Sequence, residues 1–320
     1  MKYVEIGGLQ VSALGLGCWQ MGASEWGYGR DFGPNEVRRI VHRALDLGIT
    51  LFDTAEIYGQ GRSEVLLGGA LRGRQDVIVA SKVWPLHFTT AGVVAAAQRS
   101  LQRLGRDHVD LYQLHWPNPF IPLTSTMRGM QQVLEAGMAW HVGVSNFGRE
   151  RWQRAEALLG VPVITDQVSY SLLQRQPERE LLPYAVEARR GIIAYSPLAQ
   201  GVLGGGYGPE YQVQGARRTN PLFFPANLRR AQPLIAALRV IATAHDATPA
   251  QIALAWAIAH PGVVAIPGAR RVEQVEANAA AADIELTAEE MARLDEVSQA
   301  ARPVGLLRAA SSLNETIRAM

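Results

Sequence analysis

A chain of 320 residues, 48% hydrophobic and 19% charged, carries enough apolar material for a large core, as one α/β domain or two ordinary ones. A net charge of +2 offers no surface for nucleic acid or an anionic membrane, and a single cysteine, Cys18, excludes an intrachain disulfide and a cysteine-based zinc site. No apolar run approaches the ~20 residues that span a bilayer, and the opening MKYVEIGGLQ has no apolar secretory segment. The expectation is a cytoplasmic protein without metal, membrane or nucleic-acid partners.

In chain order, residues 2–12 (KYVEIGGLQVS) read as a hairpin turning at Gly7-Gly8, and 13–18 (ALGLGC) as a buried strand. From Pro34 to Leu47 the spacing is helical, with Val37, Ile40, Val41, Ala44 and Leu45 on one face and Pro34 in the first turn. Strands are then expected at 49–53, 77–82, 108–114, 139–144, 163–167, 191–195 and 262–266. Between and after them, helices are expected at 62–71, 89–104, 125–136, 149–158, 177–189, 229–245, 249–259 and 271–281. Eight strands alternating with helices, without a composition break, predict one parallel (β/α)8 TIM-barrel domain over 1–320. Three segments fall outside the repeat: the N-terminal hairpin (1–12), a glycine-, proline- and aromatic-rich loop at 199–228, and a C-terminal helix and tail (283–320). The loop exceeds an ordinary connection and reads as a lid or mobile segment. The helix, about 287–299, carries a Thr287–Glu290 capping box.

The strand ends carry the chemistry. The run ITLFDTAEIYGQG (49–61) stops at Asp53 and presents Tyr58 from the following loop. Of 31 basic side chains only Lys2 and Lys82 are lysine, and a lysine offers the compact, tunable ammonium that arginine cannot. Alternation puts Ile78, Ala80 and Lys82 on one side of their strand, and Val109, Leu111, Gln113 and His115 on one side of the next. Any one of these polar groups is unremarkable alone: an Asp that caps a turn, a solvated lysine, a hydrogen-bonded histidine. Four of them at neighbouring strand ends fit one pocket at the barrel's C-terminal rim, where such folds host their chemistry. A Rossmann fingerprint is absent, since GLGCWQ (15–20) has Gln20 where a third glycine belongs and no G-K-[ST] loop occurs.

The chain resembles the aldo-keto reductase superfamily over nearly its full length, most closely the bacterial reductases related to potassium-channel β-subunits. FDTAEIYG, SKVW and LHWP carry the family's Asp–Tyr–Lys–His tetrad on Asp53, Tyr58, Lys82 and His115, and GVSNF, TDQVSYS, YSPLAQG and IPGARRVEQVEAN match further segments. The resemblance implies reduction of aldehydes or ketones by NADPH, with NAD not excluded, and Tyr58 as the general acid. Physical chemistry fits that role: a phenol with a pKa of about 10 is a weak acid unless an adjacent ammonium stabilises its phenolate. Asp53 would then keep Lys82 charged, and His115 would bond the substrate oxygen or help relay the proton.

For the cofactor the resemblance implies contacts from Trp19, Ser145, Asn146, Gln167, Tyr195, Ser196, Pro197, Leu198, Gln200 and Gly201. Arg217, Gly268, Arg270, Gln274 and Asn278 would follow toward the adenosine end, with Arg271 a further candidate for a 2′-phosphate. Two departures stand out: the family's G-K-Y is Gly205-Gly206-Tyr207, and Ala277 replaces an acidic residue. Arg217 or Arg218 would supply the lost charge. Trp26, Trp84 and Trp116, with Trp19 and Tyr28, would form an aromatic substrate cup, and Arg30 is the one basic residue that could meet a substrate carboxylate. Two other readings compete: a cofactor-binding sensor or regulatory subunit with residual reductase activity, and a Schiff-base aldolase using Lys82. Oligomeric state is not legible.

Overall fold

Gly7 and Gly8 adopt φ of +57° and +94°, the left-handed geometry of a tight hairpin turn. They join β1 (Tyr3–Ile6) to β2 (Leu9–Ser12) in an antiparallel pair. In this computed structural model, which describes residues 1–87, 89–212, 217, 220–303 and 305, eight further strands follow. They are β3 (Leu16–Gly17), β4 (Leu51–Asp53), β5 (Ile78–Val83), β6 (Val109–Leu114), β7 (Ala139–Ser145), β8 (Val163–Ser169), β9 (Gly191–Tyr195) and β10 (Val263–Ala265). Each pairs in parallel with its sequence neighbour. Bridges Leu14–Ala265 and Gly17–Gly268 join the first strand region to the last, so the sheet closes. The fold is the expected (β/α)8 barrel.

Around it run α1 (Pro34–Asp46), α2 (Arg62–Ala70), α3 (Thr90–Leu104), α4 (Leu123–Glu135), α5 (Arg149–Leu159), α6 (Leu181–Glu187), α7 (Pro225–Ala244), α8 (Pro249–Ile258), α9 (Val272–Ala280) and α10 (Ala288–Ala300). The strands' outward residues, among them Phe52, Tyr112, Val144 and Ile192, pack against these helices. Inward residues Leu51, Ala80, Leu111, Ile164, Ile193 and Val264 form an inner core that Ile6, Leu9 and Val11 of the hairpin plug from the N-terminal end. The plug sits close: a Cβ added to Gly191, the first residue of β9, would lie 2.5 Å from Ile6 Cβ.

Three elements differ from the sequence reading. The helix expected at 177–189 is a 3-10 turn, Gln176–Arg179, followed by α6, because Pro183 lacks the N–H that a continuous helix needs at that point. The helix expected from 229 begins at Pro225, whose fixed φ suits a first helical position, and the long loop also contains a 3-10 segment, Ala199–Gly204, kinked at Gln200-Gly201, and a one-turn helix, Pro221–Phe223. The strand expected at 13–18 keeps only Leu16–Gly17. The tail from 306 lies outside the described residues. Among the described residues no helix is long and apolar enough to cross a membrane.

Candidate active site

The C-terminal ends of β4, β5 and β6 bring four side chains together. Lys82, fully buried, donates to Asp53 Oδ1 at 2.5 Å, to the Thr54 carbonyl at 2.9 Å and to Tyr58 Oη at 3.3 Å. Its three ammonium protons therefore have three acceptors. Asp53 Oδ2 accepts from Gln113 Nε2 at 3.2 Å and Gln167 Nε2 at 2.8 Å, so the carboxylate is satisfied on both oxygens without solvent. Tyr58 opens a one-turn helix after β4, and its ring meets the His115 imidazole edge-on at 5.6 Å between centroids. His115 in turn packs edge-on to Trp84 at 5.4 Å.

This environment sets the protonation states. Burial pulls the Lys82 ammonium down, but Asp53 and Tyr58 more than offset it, and the group titrates above its usual 10.5. Burial pushes the Tyr58 hydroxyl above the 10.0 of a phenol, against the opposing pull of Lys82. Lys82 thus acts on Tyr58 in the expected direction, yet desolvation outweighs it. Burial, and then Lys82, holds His115 well below 6.5, so the imidazole is neutral at pH 7. Its Nδ1 is buried without a partner among the described residues.

A cavity of about 590 Å³ opens above this group. Its wall contains Asp53, Tyr58 and His115, with Trp19, Trp26, Trp84, Trp116, Ser145, Asn146, Gln167, Tyr195, Ser196, Pro197, Leu198, Gln200, Gly201, Arg217, Gly268, Arg270 and Gln274. Ser196, Ala199, Gln200 and Gly201 all have positive φ, from +49° to +100°, which curls the backbone after β9 around one side of the cavity. A Cβ at Gly201 would press on the Tyr207 ring at 3.1 Å. Arg217 Nε is buried without a partner among the described residues, and its guanidinium lies over the rings of Trp26 (5.0 Å), Tyr207 (5.7 Å) and Phe223 (5.6 Å). Arg270 donates to the Trp26 carbonyl at 3.3 Å, and Gln274 Oε1 accepts from the Arg270 N–H at 2.7 Å. Two arginines in the cavity wall, one with an orphaned donor, fit an anionic ligand.

Some expectations need correction. Lys82 lies beneath the cavity floor rather than in its wall. Asn278 is buried on α9, apart from the cavity wall. Tyr28 packs edge-on against Phe32 instead of joining the aromatic cup. Trp26, expected on the substrate, does line the cavity, where its ring also meets the Arg217 guanidinium and its carbonyl accepts from Arg270. Arg30 pairs with Asp31 and lies away from the cavity. Arg218 lies outside the described residues. Gln167 is in the cavity wall as expected, but its amide donors are spent on Asp53 and, at 3.4 Å, on Gln113, so toward a ligand it can only accept.

The sequence reading missed several supports. Gln113, which holds Asp53, was signalled by sharing the face of His115. Glu56 accepts from the Trp84 N–H at 2.6 Å and bonds His87 at 2.9 Å, fixing the tryptophan's loop. Gln20 donates to the carbonyls of Gly17 and Ala269, stitching the first strand to the last. Asn146 is a hub: it accepts from Tyr195 Oη at 2.9 Å and donates to Ser145 Oγ and the His115 carbonyl. No sequence signal marks the long-range bonds of Glu56, Gln20 and Asn146.

Residues 13–299 match the model of the Aldo/keto reductase family. The chain is 51% identical over 306 residues to an uncharacterized oxidoreductase of Mycobacterium bovis, covering 95% of both chains. It is 35% identical to methylglyoxal reductase YeaE of Escherichia coli, over 90% of this chain and 92% of that one. Among solved structures it is similar to an aldo/keto reductase of Klebsiella pneumoniae in complex with NADP and acetate (TM-score 0.75, 35% identity, 95% and 96% coverage).

Proposed function

The chain belongs to the aldo/keto reductase family, and on that premise we propose that it reduces aldehydes and ketones to alcohols with NADPH, Tyr58 acting as general acid. The observation that carries this reading is the Lys82 ammonium, held by Asp53 and placed 3.3 Å from Tyr58 Oη at the cavity floor. NADPH would supply the hydride that no side chain can. Tyr195, tied to Asn146, would flank the nicotinamide, with Ser145, Asn146 and Gln167 at its carboxamide. Ser196, Pro197, Leu198, Gln200 and Gly201 would follow the pyrophosphate, and Arg217, Gly268, Arg270 and Gln274 the adenosine end. The two arginines favour NADP over NAD.

Tyr58 would give its proton to the carbonyl oxygen as charge builds there, and Lys82 would stabilise the phenolate left behind. The neutral His115 is suited to donating a hydrogen bond to the same oxygen. Trp84 and Trp116 exclude water and present apolar surface to the substrate body. The E. coli relative's name makes methylglyoxal a natural member of the first substrate panel.

The aldolase reading is disfavoured: Lys82 is buried, fully hydrogen-bonded and titrates above its usual value, so a neutral amine is scarce. The test is NADPH oxidation with a panel of aldehydes. The native protein turns over, and Tyr58→Phe loses at least ~100-fold in kcat, the size of a general-acid contribution. A native protein that binds NADPH without turnover moves the regulatory-subunit reading ahead, and an active Tyr58→Phe removes Tyr58 from its role. The pH profile checks the same assignment. Protonated Tyr58 is the reactive form and its pKa lies above 10.0, while His115 stays neutral from well below 6.5. The reduction rate is therefore flat through the ordinary histidine range and falls only on the alkaline side.

A further inference from the structure

The residue before Gln167 has no part in the chemistry above, yet it is a fully buried acid. Asp166 sits on β8 in register with Val144 of β7 and Ile192 of β9, both fully buried apolar residues of the outer core. Among the described residues its Oδ2 has no partner, and its Oδ1 accepts the Phe147 N–H at 3.4 Å. The groups that act on it are the backbone N–H of Phe147 and Asn146, just after β7; among the described residues no arginine, lysine or histidine does. Its charge is felt by Tyr195 on β9. A lone buried carboxylate without a cation takes up a proton rather than remain charged, and burial accordingly lifts Asp166 well above 3.8.

The turn that Asp166 meets needs support. Asn146 has a φ of +62°, in the left-handed region that non-glycine residues seldom occupy. Two bonds to β8 hold the turn, Ser145 Oγ to the Gln167 carbonyl at 2.8 Å and the Asn146 N–H to the same oxygen at 3.0 Å. Asp166 adds a third rung through its side chain, at Phe147. What hangs on the turn is the reacting end of the cavity, since Asn146 positions the Tyr195 hydroxyl and bonds the His115 carbonyl.

We propose that Asp166 is a positioning residue of the site: a neutral carboxylic acid that holds the Ser145–Phe147 turn and, through Asn146, fixes the Tyr195 face against which the nicotinamide would lie. The second half of this rests on the NADPH reading; the first half does not.

The two halves have separate measurements. Thermal unfolding of the native protein and Asp166→Asn is followed from about pH 5 to about pH 8. The folded pKa lies above the unfolded value of about 3.9, so the native fold binds a proton that the unfolded chain releases, and its stability falls as pH rises across this window. Asparagine keeps the shape without the proton. Its midpoint therefore rises relative to the native one as pH increases; parallel profiles overturn the neutral acid. NADPH affinity, read by fluorescence titration at neutral pH, tests the positioning. Asp166→Asn binds within about twofold of the native protein, whereas Asp166→Val, apolar but without the acceptor, binds several-fold more weakly with kcat less affected. Strong weakening in Asp166→Asn would mean that a carboxylate is the working form and sink the proposal, as would native-like binding by Asp166→Val. A native protein with no affinity for NADPH overturns the cofactor reading and the nicotinamide half together, while the unfolding profiles still decide the protonation of Asp166.

Discussion

The two ends of the barrel are closed in opposite ways. At the N-terminal end, Ile6, Leu9 and Val11 of the hairpin meet Leu51, Leu111, Ile164 and Ile193 in a dry apolar plug, tight enough that Gly191 has no room for a methyl group. At the C-terminal end the same strands finish in Asp53, Lys82, Gln113, Ser145 and Gln167, a layer of buried polar and charged groups with His115 Nδ1 left over. The lower end gains stability from area removed from water. The upper end gives some of it up to hold an ammonium, a phenol and a neutral imidazole in fixed protonation states. Stability and reactivity are thus assigned to different ends of one strand set, and substitutions should separate them.

The largest expected effect breaks that separation. Asp53→Ala strands the fully buried Lys82 ammonium with the Thr54 carbonyl and Tyr58, so it should cost about 3–5 kcal/mol of stability in denaturant titration, in addition to the reductase activity. Tyr58→Phe, by contrast, removes a single 3.3 Å bond from Lys82 and should leave the unfolding midpoint near its native value while the rate collapses. Gly191→Ala is the converse: a Cβ against Ile6 should lower stability by about 1–3 kcal/mol, with kcat unchanged at temperatures where the protein remains folded. A drop in kcat there would show that the plug and the rim are mechanically coupled. The smallest effect lies beyond both ends. Arg217→Ala should weaken NADPH about tenfold, roughly 1.4 kcal/mol, and NADH less, without changing kcat at saturating cofactor.

The comparison also explains what could be read in advance. Lys82 and His115 are legible because strand alternation is a local rule: Ile78, Ala80 and Lys82 share a face whatever surrounds them; Asp53 and Tyr58 are legible from their places at and after a strand end. Pro183 is equally visible in the sequence, and its missing N–H is a local reason for the break before α6. Asn146 and Gln113 are different. Nothing in GVSNF says that its asparagine would reach Tyr195 forty-nine residues on, and nothing in LYQLHWP says that Gln113 would turn to Asp53 two strands away.

The alternation of strands and helices, the order of the reactive residues along the rim and the lack of a Rossmann fingerprint can all be read from the chain before it folds. All follow from spacing within a single segment. The tertiary structure alone decided that Lys82 lies beneath the floor, that His115 is neutral, that Tyr58 holds its proton more tightly than a free phenol and that Asp166 is buried without a counter-ion. Each of these depends on how completely water is excluded by side chains from distant parts of the chain. Desolvation is a property of the closed barrel, and no single segment carries it.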